Sequence, residues 1–179
     1  MDEFRSGDRV TFNVLNEHGG VRHIVYGQGA IGQKVNVSRK VHGYSATLTR
    51  IEPYKKFLIL DEPIRIGSNM VDTVWIETGY YYDLPEGMIL LLQKGNKSLD
   101  NGDEVMFNAM FDKYGTYSDK CIVSQMIGEM KVTYVTRSGM VNVTGLTDSG
   151  RTHTLYDIPP VYLDKAINIS LTDLLLSAE

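Results

Sequence analysis

A single cysteine, Cys121, is all that the 179-residue chain carries, so no internal disulfide can staple it and packing must supply its stability. One cysteine also fits a reducing compartment. Long apolar runs are missing too. The longest, Met88 to Leu92, falls far short of the roughly 20 residues that a membrane-crossing helix needs. The first residues, Met1-Asp2-Glu3-Phe4-Arg5, are charged and carry no apolar signal core. The expected location is therefore the cytoplasm, or a particle assembled there, with no membrane involved. Positive charge is not in excess: 18 Lys and Arg face 22 Asp and Glu, a net charge of −4. A phosphate backbone calls for a basic stripe, so nucleic acid is a less favoured partner.

Apolar residues make up 42% of the sequence and charged ones 22%, enough for a buried core. Self-similarity organises them. Ser6-Gly7-Asp8-Arg9-Val10-Thr11-Phe12-Asn13 reads onto Asn101-Gly102-Asp103-Glu104-Val105-Met106-Phe107-Asn108 at an offset of 95. An offset of 96 pairs Gly19 with Gly115, Ile31-Gly32-Gln33 with Ile127-Gly128-Glu129, Gly43 with Gly139, Asp61 with Asp157 and Pro63 with Pro159. Such residues fix backbone geometry, so the pattern predicts a fold kept twice while surfaces diverged.

Within each copy, apolar residues recur every second position between turn residues, the pattern of half-buried strands. In the first copy this predicts a hairpin of residues 8–15 and 21–31, then strands over 34–41, 45–51 and 56–60. In the second, Val105, Phe107, Ala109 and Phe111 alternate through a strand over 104–112, which turns at Lys113-Tyr114-Gly115 and returns over 116–127. Strands over 129–136, 140–146 and 151–156 follow, and Pro159-Pro160 ends the ladder because proline has no N–H to donate. The expected fold is all-β: two tandem barrel-like modules of about five strands each, with a short C-terminal helix opened by Ser170-Leu171-Thr172-Asp173. The expected boundaries are 1–67 for the first module, 68–100 for a linking segment with an extra strand, and 101–179 for the second module and helix.

No catalytic constellation emerges. The four histidines, His18, His23, His42 and His153, lack metal-ligand spacing, and no metal or cofactor is expected. Cys121 reads as a buried thiol on a strand. Gly27-Gln28-Gly29-Ala30-Ile31-Gly32 has dinucleotide-loop spacing, but the alternating Lys34–Ser38 follows where a helix should. A barrel corner is the better reading.

Three adjacent tyrosines, Tyr80, Tyr81 and Tyr82, cannot all face one core, so at least one is an interface candidate. Trp75, the only tryptophan, stands in the same segment, and Arg39-Lys40 is a basic pair near a turn. These six are the candidate interaction residues. The expected function is a non-enzymatic structural or adaptor protein that assembles with other subunits as a homo- or hetero-oligomer, with a phage particle or similar complex as the finer form. One alternative is a nucleic-acid- or nucleotide-binding module of OB or SH3-like type. The other is a small hydrolase between the modules, using residues such as His153 and Asp61.

Overall fold

The computed structural model describes residues 4–13, 23–29, 32–78, 87–95 and 98–166, arranged almost wholly as two antiparallel sheets. The first sheet comprises β1 (Arg9–Phe12), β2 (His23–Gln28), β3 (Lys34–Asn36), β4 (Ser45–Ile51), β5 (Lys55–Ile66), β6 (Asn69–Thr78) and β7 (Ile89–Gln93). Its order is β3-β2-β6-β5-β4-β1-β7. The second comprises β8 (Glu104–Phe107), β9 (Met126–Val135), β10 (Val141–Thr147), β11 (Thr152–Ile158) and β12 (Leu163–Lys165), in the order β11-β10-β9-β8-β12. Helices α1 (Ala109–Tyr114) and α2 (Tyr117–Val123) lie between β8 and β9, and a 3-10 turn, Pro160–Tyr162, precedes β12.

The same five-strand order occurs in both sheets. Strands β7-β1-β4-β5-β6 correspond to β12-β8-β9-β10-β11, a four-strand meander whose first strand also pairs with a late fifth. What interrupts the meander differs. The hairpin β2–β3 separates β1 from β4 and joins the sheet beyond β6, whereas α1 and α2 separate β8 from β9. The entry turns superimpose bond for bond. Gly7 N–H donates to Leu48 O at 2.7 Å and Leu48 N–H to Asp8 O at 2.9 Å, while Gly102 donates to Val132 at 2.7 Å and Val132 to Asp103 at 2.9 Å. Both glycines have a left-handed backbone, φ 94° and 95°, which a side chain would strain.

These bonds correct the longer repeat. Leu48 corresponds to Val132, 84 residues on, so the spacing of 95 holds through the first strand but no offset of 96 follows it. Gly43 precedes β4 whereas Gly139 follows β9, and Asp61 lies in the third meander strand whereas Asp157 lies in the fourth. Insertions of unequal length, a hairpin in one unit and two helices in the other, shift the register.

Four further expectations change. Among the described residues neither sheet closes on itself, so barrel closure is absent from the hydrogen bonding. β1 does not pair with β2; it lies between β4 and β7, and β2 pairs with β6 and β3. Residues 69–78 and 89–93, assigned to a linking segment, are paired strands of the first sheet. The alternation that promised a strand through Asp112 ends at Phe107. Asn108 Oδ1 accepts from Met110 N and Phe111 N at 3.1 and 3.3 Å, and Thr116 Oγ1 accepts from Asp119 N at 3.2 Å, so two helix N-termini are capped. Phe107 and Phe111 meet with their rings tilted, 4.3 Å between centres; in sequence, four apart fits the period of a strand as well as that of a helix, but only the helical turn brings the rings together. Cys121 accordingly lies on α2, partly exposed. The expected C-terminal helix lies outside the described residues.

Each sheet covers its own buried cluster. Val10, Phe12, Leu48, Leu58, Val74, Ile76 and Met88 form one, and Val105, Phe111, Val132, Val143, Leu155, Ile158 and Leu163 the other. Gly27 shows how tight the first is: a Cβ there would clash with Val71 Cγ1. The glycine run thus serves packing and a corner, and it leads into β3 instead of a helix.

Candidate functional site

Strand pairing builds an aromatic row across one face of the first sheet. Tyr26 on β2 stands opposite Trp75 on β6, and Trp75 stands opposite Phe57 on β5. Neighbouring rings lie 6.1 Å apart on each side of Trp75, the range of favourable aromatic contact. Alternation leaves this face partly exposed while Val74 and Ile76 enter the core.

The second unit faces that row. Tyr114, Gly115, Thr116 and Tyr117, at the junction of α1 and α2, and Tyr162 of the 3-10 turn form the opposite wall. With Phe57, Ile59, Thr73, Trp75, Thr49 and Arg50 they enclose a cleft of about 300 Å³. Past Arg50 and Thr116, which border both spaces, opens a more polar cavity of about 510 Å³ edged by Asp119, Ser138, Tyr156 and Asp157. Together they make a groove along the junction of the two units.

Polar contacts on both sides hold the groove's width. Tyr114 Oη donates to Asp72 Oδ2 at 2.8 Å, and Lys113 Nζ lies 3.5 Å from the same oxygen. Arg50 reaches Asp119 at 3.6 Å and Glu52 at 4.0 Å. Deeper, Ser6 N–H donates to Ser138 O at 2.8 Å, and Ile51 N–H meets Met140 Sδ at 3.4 Å. Burial lifts the Tyr114 hydroxyl above its ordinary pKa; Lys113 opposes that and Asp72 adds to it. Burial likewise raises Tyr162. Both phenols therefore stay neutral and can donate at any physiological pH.

Charges beside the aromatic row are matched. Trp75 Nε1 donates to Glu77 Oε1 at 3.0 Å, and Lys34 and Lys55 lie 3.3 and 3.8 Å from the same carboxylate. Burial pushes Glu77 up, but the indole and the ammonium groups outweigh it and hold the carboxyl below its ordinary value. Lys34 Nζ also sits 4.2 Å over the Tyr26 ring. What the lining offers a ligand is aromatic surface, hydroxyl groups and an excess of negative charge, since Glu52, Asp119 and Asp157 outnumber Arg50.

Of the six residues expected to interact, Trp75 lines the groove. Arg39 and Lys40 are exposed in the turn after β3 and line neither cavity. Tyr80, Tyr81 and Tyr82 lie outside the described residues. Phe57, Tyr114, Tyr117, Tyr162 and Arg50 went unrecognised because they come from separate strands, helices and a turn, and no local spacing connects them. Asp61 and His153 belong to different sheets; Asp61 pairs with Arg9, and His153 stands exposed opposite Gly145. Among the described residues no three His, Cys, Asp or Glu side chains gather as metal ligands. No described helix is long and apolar enough to cross a membrane. No protein-family model, curated protein or solved structure matches this chain.

Proposed function

We propose that this chain is a non-enzymatic docking adaptor whose inter-unit groove receives an extended segment of a partner protein. The observation that carries this reading is the aromatic lining itself: Phe57 and Trp75 face Tyr114, Tyr117 and Tyr162 across a cleft that continues past Arg50 and Thr116 into the second cavity. Aromatic-lined grooves suit extended, proline-containing peptides, whose preformed conformation loses little entropy on docking. Exposure favours the same reading: Tyr117 is 83% exposed, an amphipathic ring available at a groove edge. The five-strand order common to both sheets, with the fifth strand returning beside the first, supports two partly open small barrels as rigid walls. A place in a phage particle or similar assembly is the finer form of this proposal and rests on the strand-rich sequence with its many Gly, Tyr, Asn and Thr residues.

Nucleic acid is the second reading, because tyrosines and tryptophan can also stack on bases. The balance of charge disfavours it. Arg50 is the one cation among the described lining residues, and it already faces Asp119 and Glu52.

Trp75 is the only tryptophan, so its emission reports the groove without labelling. Titration with proline-bearing peptides selected from a display library is expected to shift that emission saturably, and Tyr117→Ala is expected to weaken binding about tenfold or more. Selected peptides that bind without any change at Trp75, or equally well to the Tyr117 variant, would refute the groove as the docking site. Salt-sensitive binding of single-stranded oligonucleotides at Trp75 would favour the second reading.

A further inference from the structure

The most apolar stretch of the sequence ends up where it is least covered. Met88 and Ile89 enter the core, but the next three residues do not: Leu90, Leu91 and Leu92 are 47%, 39% and 52% exposed. They lie on β7, which borders the first sheet and has β1 as its one neighbour among the described residues. Its outer row of backbone N–H and C=O groups is the chemical complement of another strand, and natural edges are normally blunted against such pairing.

The other three edges are blunted. β3 has three residues and carries Lys34; β12 also has three and carries Asp164 and Lys165. β11 is interrupted near its end, where the one residue Asn142 of β10 faces Tyr156 and Asp157 of β11 and Asp157 adopts φ 54°. β7 carries neither charge nor proline from Ile89 to Gln93. It has a bulge of its own, since Leu92 falls between the partners of Arg9 and Val10, and this limits the regular ladder to a few residues.

We propose that β7 is a self-association edge: two copies of this chain pair β7 to β7, antiparallel about a two-fold axis at Leu91. In that arrangement Leu90 of one copy opposes Leu92 of the other and Leu91 opposes itself, so apolar side chains meet with no like charges opposed. The charged groups nearest the strand are already engaged within the chain, Arg9 with Asp61 and Lys94 with Asp8. With one competent edge among the described residues of each chain, the assembly is a closed dimer instead of a growing fibre. The short ladder makes it a modest one, with the leucines supplying most of the affinity.

Sedimentation velocity over a concentration series tests this. The expected result is a reversible shift toward twice the 20.1 kDa of one chain at micromolar concentrations. Leu90→Lys with Leu92→Lys sets lysines against each other across the axis and is expected to weaken association at least about tenfold while the circular dichroism stays unchanged. Should that variant fold poorly, Leu91→Cys in a Cys121→Ser background is expected to give a covalent dimer on mild oxidation, because facing strands hold the Cα atoms within disulfide reach. Mass that stays at one chain throughout, open-ended larger species, or a dimer that neither forms the cross-link nor responds to the lysines would overturn the proposal.

Discussion

Asp8 and Asp103 hold the same post in the two sheets. Each follows a left-handed glycine, and each accepts a backbone N–H from three residues earlier, Arg5 N at 2.9 Å and Asp100 N at 2.8 Å. Each also meets a lysine from the end of the fifth strand or just beyond it, Lys94 at 3.4 Å and Lys165 at 3.5 Å. A carboxylate thus ties the start of the first strand to the end of the fifth in both units. The difference is burial: the Asp8 side chain is 2% exposed and accepts a further bond from Gly95 N at 2.9 Å, whereas that of Asp103 is 27% exposed.

That difference predicts unequal costs for one substitution. Asp8→Ala removes a buried carboxylate that holds two backbone N–H groups and a lysine, and is expected to cost about 2–3 kcal/mol; Asp103→Ala, with water at hand, about 1 kcal/mol or less. Urea denaturation of the two variants checks this. Equal losses would mean that burial does not set the value of the tie.

Asp157 offers a gain. Its φ of 54° is the one left-handed backbone among the described non-glycine residues, at the irregular pairing of β10 with β11. Asn142 Oδ1 accepts the Asp157 N–H at 3.1 Å, a bond that belongs to the backbone and survives substitution. Asp157→Gly is therefore expected to stabilise the protein by about 0.5–1 kcal/mol, and Asp157→Val to destabilise it by more than that. Thermal denaturation of both variants reads the sign directly.

Asp157 also shows what the sequence conceals. Period-two alternation and turn residues foretold β4, β9, β10 and β11 closely and the first half of β5, because each has one face on a core. The all-β class followed from them. Pairing was hidden, since β1 and β2 adjoin in sequence but part in space, and β2 finds β6 instead. Helices α1 and α2 were hidden by Val105, Phe107, Ala109 and Phe111, whose spacing reads as a strand until Asn108 is recognised as a cap. Of the groove only Trp75 stood out, because rarity marks a residue while convergence of distant rings leaves no local trace.

Gly27 tests the packing of the inserted hairpin. A methyl group there would strike Val71 Cγ1, itself 1% exposed and hemmed in by the first cluster. Gly27→Ala is expected to cost about 1–3 kcal/mol as the two strands shift apart. Pairing it with Val71→Ala should restore room at the clash, so the double variant is expected to lose less than the sum of the two single losses. Additive losses would place the strain elsewhere.

Glu77 links the groove to pH. Its carboxyl lies below the ordinary value of 4.5 in the folded protein, because the Trp75 indole and the Lys34 and Lys55 ammonium groups outweigh burial. A carboxyl with a lowered folded pKa adds stability above its unfolded pKa and loses it as pH falls through the folded one. Wild type should therefore exceed Glu77→Gln by about 0.5–1 kcal/mol at pH 7, the pair being part-exposed and screened. The gap should begin to close below about pH 4.5 and vanish once Glu77 is protonated, because a neutral carboxyl and an amide accept the indole N–H alike. The emission of Trp75 should move over the same interval, since its Nε1 donates to Glu77 Oε1. A stability gap constant from pH 7 to pH 3, with Trp75 emission equally flat, would mean that the carboxylate carries no differential charge interaction in the folded state.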